Sequence, residues 1–238
     1  MKKFRTILPF SVFTLAAFSH ANVMANGYQF LHQSAEGLGS AYAANGTAIN
    51  DISAMFSNPA SIIRFDGTRF SGSFTVDLPQ SNMDKASATA PYSDGMVNVD
   101  GYPAEPTQFI DTAFGAASYM TYQYQPDVVF GFAINAPYAY VSDYADTAVS
   151  RYTATNTELQ GLNFSPTFAY RFNKQWAIGG SLNIQYYQAA LGTQIATSTT
   201  EPQINTDVAS LIEADDIAYG FSFGFEFHTS ENNRLGAS

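Results

Sequence analysis

Beyond its first 25 residues the chain has two histidines, His32 and His228, and it contains no cysteine, so acid–base, thiolate and nitrogen-ligand metal chemistry have few carriers. A Ser, His and Asp triad would have to be built on one of these histidines, and His228 stands between Glu226 and Ser230 on the polar side of an alternating segment. Gly220-Phe221-Ser222-Phe223-Gly224 has the Gly-x-Ser-x-Gly spacing but falls inside an alternating segment and forms no strand-to-helix elbow, and no His-Glu-x-x-His pair occurs. Gly37-Leu38-Gly39 starts like a dinucleotide fingerprint, but Tyr42 stands where the third glycine belongs and no strand precedes it. Asp84, Asp94, Asp143, Asp146, Glu213 and Asp215 offer oxygen ligands for divalent cations without the spacing of an EF-hand loop, which reads as solvated loop surface. No enzyme, cofactor or metal site is therefore expected. The charges that remain of interest are Arg69, Arg171 and Glu226, which fall on the polar faces of alternating segments. They either pair with acids such as Asp51 and Asp66 or stand hydrated in a wet interior.

The segments that carry those charges are unusual. Six stretches place large apolar residues on every second position, which in a strand puts them on one face. The clearest is Ile217, Tyr219, Phe221, Phe223, Phe225 and Phe227, interleaved with small or polar residues. The others run over about Arg69–Leu78, Ala113–Tyr124, Val128–Ala136, Gly161–Phe172 and Trp176–Tyr186. Short connections at 125–127, 173–175 and 230–233 alternate with long ones, as in outer-membrane barrels with short periplasmic turns and long outer loops. Composition agrees: 13% of residues are charged and 15% aromatic, yet mean hydropathy is near zero. Alternation between lipid and a wet interior produces that combination.

The ends of the chain differ from this middle. Residues 1–25 read as a signal peptide: basic Lys2, Lys3 and Arg5, an apolar run from Ile7 to Phe18, and Val23-Met24-Ala25 before the cleavage point. Removing it leaves seven basic residues against twenty acidic ones, a balance that repels nucleic acid. Residues 26–66 lack the alternation. There a short helix within Thr47–Phe56, capped by Asn50 or Thr47, is expected to end at Asn58-Pro59. The alternating part, 67–238, supplies about six strands and enters a seventh. That is fewer than the eight of the smallest single-chain barrels, and an open sheet edge is not tolerated in lipid. The fold expected is thus all-β, a partial transmembrane antiparallel β-barrel with a small, partly helical N-terminal plug, truncated from a longer protein. Pro137 is expected to interrupt the third strand.

Asn26-Gly27-Tyr28-Gln29-Phe30, then Gly37-Leu38-Gly39 with Ala41-Tyr42 and Gly46, then Asn58-Pro59-Ala60, resemble the plug of the FadL and TodX type of outer-membrane transporters for long-chain fatty acids and other hydrophobic compounds. Leu162-Asn163-Phe164-Ser165-Pro166 and Phe168-Ala169-Tyr170-Arg171, on to Tyr186, resemble that family's fourth and fifth strands, so the likeness spans nearly all of the mature chain. It implies a fourteen-stranded barrel in a Gram-negative outer membrane, inserted by the barrel assembly machinery. Asn58, Pro59, Ala60, Gly37 and Gly39 would form the plug motif, and hydrophobic substrates would diffuse passively past it. It also implies a sideways exit beside a deformed third strand, at Gly131, Asn135 and Pro137. Two other readings stay open: a water-filled porin or structural barrel, and a secreted β-sandwich. Inward-facing Ala113, Ala117, Tyr119, Val129 and Ala133 lean toward the hydrophobic conduit. Tyr138, Tyr140 and Tyr144 are either an entry surface for an acyl chain or ordinary headgroup-zone aromatics.

Overall fold

A computed structural model describes residues 30, 32–43, 46–47, 50–81, 87–92, 95–99, 110–198, 206–230 and 233–238. Residues 1–25, Asn26–Gln29, Ile49, Asp84 and Asp94 lie outside them. Alternation builds one antiparallel sheet from β1 (Thr68–Asp77), β4 (Ala113–Gln125), β5 (Val128–Asp143), β6 (Asn156–Arg171), β7 (Trp176–Ile195), β8 (Val208–His228) and β9 (Arg234–Ala237), each paired with its neighbour in that order. The sheet curls into half a barrel. A separate hairpin, β2 (Thr89–Tyr92) with β3 (Gly95–Asn98), lies within the first long connection.

One face is the expected aromatic wall: Phe70, Phe74, Met120, Phe130, Phe168, Trp176 and Phe221 are among its exposed large side chains. No second sheet covers this face among the described residues, which removes the β-sandwich reading. The opposite face is concave and holds the N-terminal segment. That segment comprises α1 (Ala35–Gly39) and two 3-10 helices, Ile52–Phe56 and Pro59–Arg64. Met55, Ile62 and Ile63 pack there on Ala117, Tyr119, Val129 and Ala133. Those inward apolar residues are therefore explained by this packing, and they do not discriminate a conduit from a porin.

Local chemistry sets the N-terminal segment's helices. Ser34 caps α1, its Oγ accepting from Gly37 N–H at 3.1 Å, a helix not expected from the run of small residues. Asp51, rather than Asn50 or Thr47, caps the first 3-10 helix through Ser53 N–H at 2.9 Å. Asn58-Pro59 is a start as well as a stop: Asn58 caps the second 3-10 helix and Pro59 occupies its first turn, where a missing N–H costs nothing.

Strand lengths depart from expectation. β7 has 20 residues and β8 has 21, roughly twice the 9 to 11 needed to cross a bilayer. Their outer halves, Tyr187–Ile195 against Val208–Asp216, stay paired residue for residue. Alternation fades there because no lipid selects one face, and the stretch from Gln188 to Asp215 reads as loop in the sequence. Pro137 does not end the third strand either. Asn135 pairs with Asn163 and Tyr138 with Gly161, so Ala136 and Pro137 together oppose Leu162 in a β-bulge.

Candidate functional site

The bulge has three local consequences. It reverses the phase of β5, so that Tyr138, 5% exposed, turns to the concave side, where its ring lies 5.4 Å from that of Tyr187. Gly161 beneath it leaves the space that the ring fills. The ladder to β4 also stops: its last pair is Ala117 with Asn135, while Ala113–Ala116 remain paired to β1 on their other side. The wall thus has an unpaired gap between the outer part of β4 and β5, closed further out by Asp111 N–H to Val141 carbonyl at 3.0 Å and a bridge of Ile110 with Ser142.

Finally, the bulge frees two carbonyls, which the N-terminal segment takes. Phe30 N–H donates to Pro137 carbonyl at 2.8 Å, and Gln33 Nε2 to Ala136 carbonyl at 3.2 Å. The same short stretch is tied to the neighbouring strands. Tyr119 Oη and Ser73 Oγ donate to the Gln33 carbonyl at 2.9 and 3.2 Å, and His32 Nδ1 lies 3.1 Å from Asp77 Oδ1. Phe30, His32 and Gln33 therefore lie along the inner side of the gap, bonded to β1, β4 and β5. On the outer side lies a groove of about 320 Å³ lined by Phe114, Ala136, Tyr138, Gly161, Leu162 and Tyr186, among others.

Asn58-Pro59-Ala60 docks at the short-turn end. Asn58, fully buried, donates from Nδ2 to the carbonyls of Gly46 and Phe225, both at 3.1 Å, and its Oδ1 accepts from Ala60 N–H at 3.0 Å. Two strand glycines that count in the sequence only as small residues make this approach possible. A Cβ on Gly179 would stand 2.5 Å from Ala60 N and Pro59 C, and one on Gly224 would strike Asn58 Oδ1. The Gly-Gly pair in mid-strand at 179 and 180 is the available signal, since such glycines mark close approaches. Gly37 is needed too, because a Cβ there would meet the Tyr42 ring, whereas Gly39 has open space around it. Gly131 faces Met55 and Ile62 of the N-terminal segment.

The three charges distribute differently. Glu226 is fully buried, with Oε1 3.3 Å from Arg64 Nε of the N-terminal segment and Oε2 3.2 Å from His228. Arg64 is not singled out by the sequence, since it closes an otherwise apolar helix. Burial pushes its guanidinium pKa down, and Glu226 acts against that shift. Arg171 reaches the same helix, donating from Nη2 to Ile63 carbonyl at 2.6 Å. Arg69 stays exposed at the edge, its Nε bonded to Asp66 carbonyl. Asp51 and Asp66 accept from Ser71 and Gln123 instead of from these arginines.

A curled antiparallel sheet with an aromatic outer face and a helical segment docked inside it is the architecture of outer-membrane barrel proteins. The chain belongs to the outer membrane protein transport protein family (OMPP1/FadL/TodX), whose model matches residues 16–238. The long-chain fatty acid transport protein of Escherichia coli K12 is 23% identical over 87% of this chain and 50% of its own length. Outer membrane protein P1 of Haemophilus influenzae is 25% identical over 99% of this chain and 57% of its own. The crystal structure of a Pseudomonas aeruginosa FadL homologue superposes with a TM-score of 0.69 at 16% identity, covering 88% of this chain and 51% of that one. The chain spans about half the length of the relatives it matches. Membership places it among outer-membrane proteins of Gram-negative bacteria, and its relatives are transporters rather than enzymes.

Proposed function

We propose that the protein to which this chain contributes carries long-chain fatty acids or similar hydrophobic compounds across the outer membrane by passive diffusion, with no bond made or broken. The N-terminal segment is its plug. Ligand held on the concave side leaves sideways, through the gap between Ala113–Ala116 of β4 and the bulged part of β5, into the membrane. The single observation that carries this reading is the loss of β4–β5 pairing beyond Asn135, together with plug residues Phe30 and Gln33 on the two carbonyls that the bulge frees. Unpaired backbone in a lipid-facing wall is costly unless it is satisfied from within, and the plug supplies donors to the Ala136 and Pro137 carbonyls. Further strands would pair the free edges of β1 and β9, and the barrel assembly machinery would insert the whole.

Deleting Pro137 tests the exit. It restores a one-to-one register with β6 and lets β5 continue its ladder to β4. Uptake of a labelled long-chain fatty acid by cells is expected to fall at least tenfold while the protein stays heat-modifiable in the outer membrane. Unchanged uptake in an assembled deletion variant would remove the lateral exit.

A further inference from the structure

Between the plug and the Tyr138–Tyr187 ring pair, one band of small polar side chains crosses four strands on the concave face. Asn163 Nδ2 donates to Asn135 Oδ1 at 2.9 Å and to Ser165 Oγ at 2.7 Å. Ser165 Oγ donates to Asn183 Oδ1 at 2.6 Å, and Asn183 Nδ2 to Ser222 Oγ at 2.9 Å. Asn163, Ser165, Asn183 and Ser222 of the band line a cavity of about 220 Å³ together with Met55, Phe56 and Ser57 of the plug, while Asn135 stands behind Asn163. Two of its atoms, Asn135 Nδ2 and Asn163 Oδ1, are buried and have no hydrogen-bond partner, although the two residues are only 0% and 3% exposed. Buried amide groups left unpaired cost about 1–3 kcal/mol each, so a partner is expected there. One orphan is a donor and the other an acceptor. Among the described residues that line the cavity, none is charged.

We infer that this band is a head-group subsite for an uncharged hydrogen-bonding group, a hydroxyl above all, at the end of a long apolar chain. A hydroxyl donates and accepts, so one that enters beside Asn163 complements its Oδ1 and the orphaned Nδ2 of Asn135 behind it, whereas a carboxylate only accepts and finds no cation among the described lining residues. Tyr138 and Tyr187 sit one level further out and offer apolar surface to the first part of the tail. Asn135 also ends the β4–β5 ladder, so the band leads to the edge of the gap. This assignment rests on the conduit proposed above and adds an orientation to it: head toward the plug, tail outward.

The test uses the protein as its gene encodes it, purified from outer membranes in detergent, with an apolar fluorophore displaced by 1-dodecanol, dodecane or dodecanoate at pH 9. In the wild type, dodecanol is expected to compete about tenfold better than dodecane, and dodecanoate less well than dodecanol. Asn163→Leu is expected to bring dodecanol within twofold of dodecane and leave dodecane unchanged. Ser165→Ala, a smaller change that unlinks Asn163 from Asn183, is expected to lower the preference about threefold and serves if the first variant does not assemble. A preference that survives both substitutions, or an equal response to dodecanol and dodecane in the wild type, overturns the subsite while leaving the conduit standing. If neither compound displaces the fluorophore, the conduit fails and the subsite with it.

Discussion

Adding one methyl group at Gly179 should loosen the N-terminal segment. The new Cβ would stand 2.5 Å from Pro59 C and Ala60 N, both backbone atoms, where ordinary contact begins at 3.4 Å. Neither β7, paired on both sides, nor a backbone segment can rotate away, so the second 3-10 helix must retreat by about 1 Å. That movement stretches the two 3.1 Å bonds from Asn58 Nδ2 past the roughly 3.5 Å at which a hydrogen bond ceases to count. Overpacking of about 1–2 kcal/mol and two lost bonds of about 1 kcal/mol each give about 3 kcal/mol, or two decades in the population of the undocked N-terminal segment. Because the chain has no cysteine, a single Ser61→Cys reports on this cleanly: Ser61 is fully buried and its hydroxyl makes no hydrogen bond. Maleimide labelling of heat-modifiable Ser61→Cys protein should accelerate about a hundredfold when Gly179→Ala is added. Gly180→Ala supplies the control, since its Cβ meets nothing nearer than Ser222 carbonyl at 3.5 Å. Equal labelling rates in all three assembled proteins would refute the packing of Pro59-Ala60 on Gly179.

Asn58→Ala leaves the Gly46 and Phe225 carbonyls without the donor they share, and a loss of about 2–4 kcal/mol is expected, read as a lower temperature for the heat-modifiable shift. Glu226→Gln strips the charge partner from Arg64, which is 7% exposed, and should cost about 3–5 kcal/mol by denaturant titration, whereas Glu226→Leu with Arg64→Met together should cost much less. A double-mutant cycle with additive terms would show that the two side chains do not interact. In the outer loops, Arg151 Nε donates to Asp207 Oδ2 at 2.7 Å and Tyr152 Oη to the same carboxylate, joining the connection after β5 to the one before β8. Asp207→Ala is therefore expected to increase proteolytic nicking near residues 144–155 of intact cells severalfold, and unchanged nicking would deny that link a role in holding the loops.

Alternation made the wall legible because lipid imposes it: Tyr219, Phe221 and Phe223 must all face outward, and every strand of the wall obeys the same rule. It fails where lipid ends, which is why Gln188–Ile195 and Val208–Asp215 read as loop although they are paired. The site was legible in part. Asn58-Pro59-Ala60 and Pro137 stand out by residue type, but Arg64, Gly179 and Gly224 acquire meaning only when the N-terminal segment lies against the strands. The bulge shows the same limit more sharply. One extra residue turns Tyr138 inward, ends the ladder at Asn135 and frees the carbonyls of Ala136 and Pro137, and the groups that answer those carbonyls belong to Phe30 and Gln33, about a hundred residues earlier. A proline in a strand announces a missing donor, never the donor that replaces it. N-terminal segment and gap are consequently coupled: whatever lifts Phe30 and Gln33 from β5 leaves two carbonyls unsatisfied in the wall, so the gap is most stable when the segment is docked, and under the proposed plug role it is most reactive toward a hydrogen-bonding ligand when the segment is not.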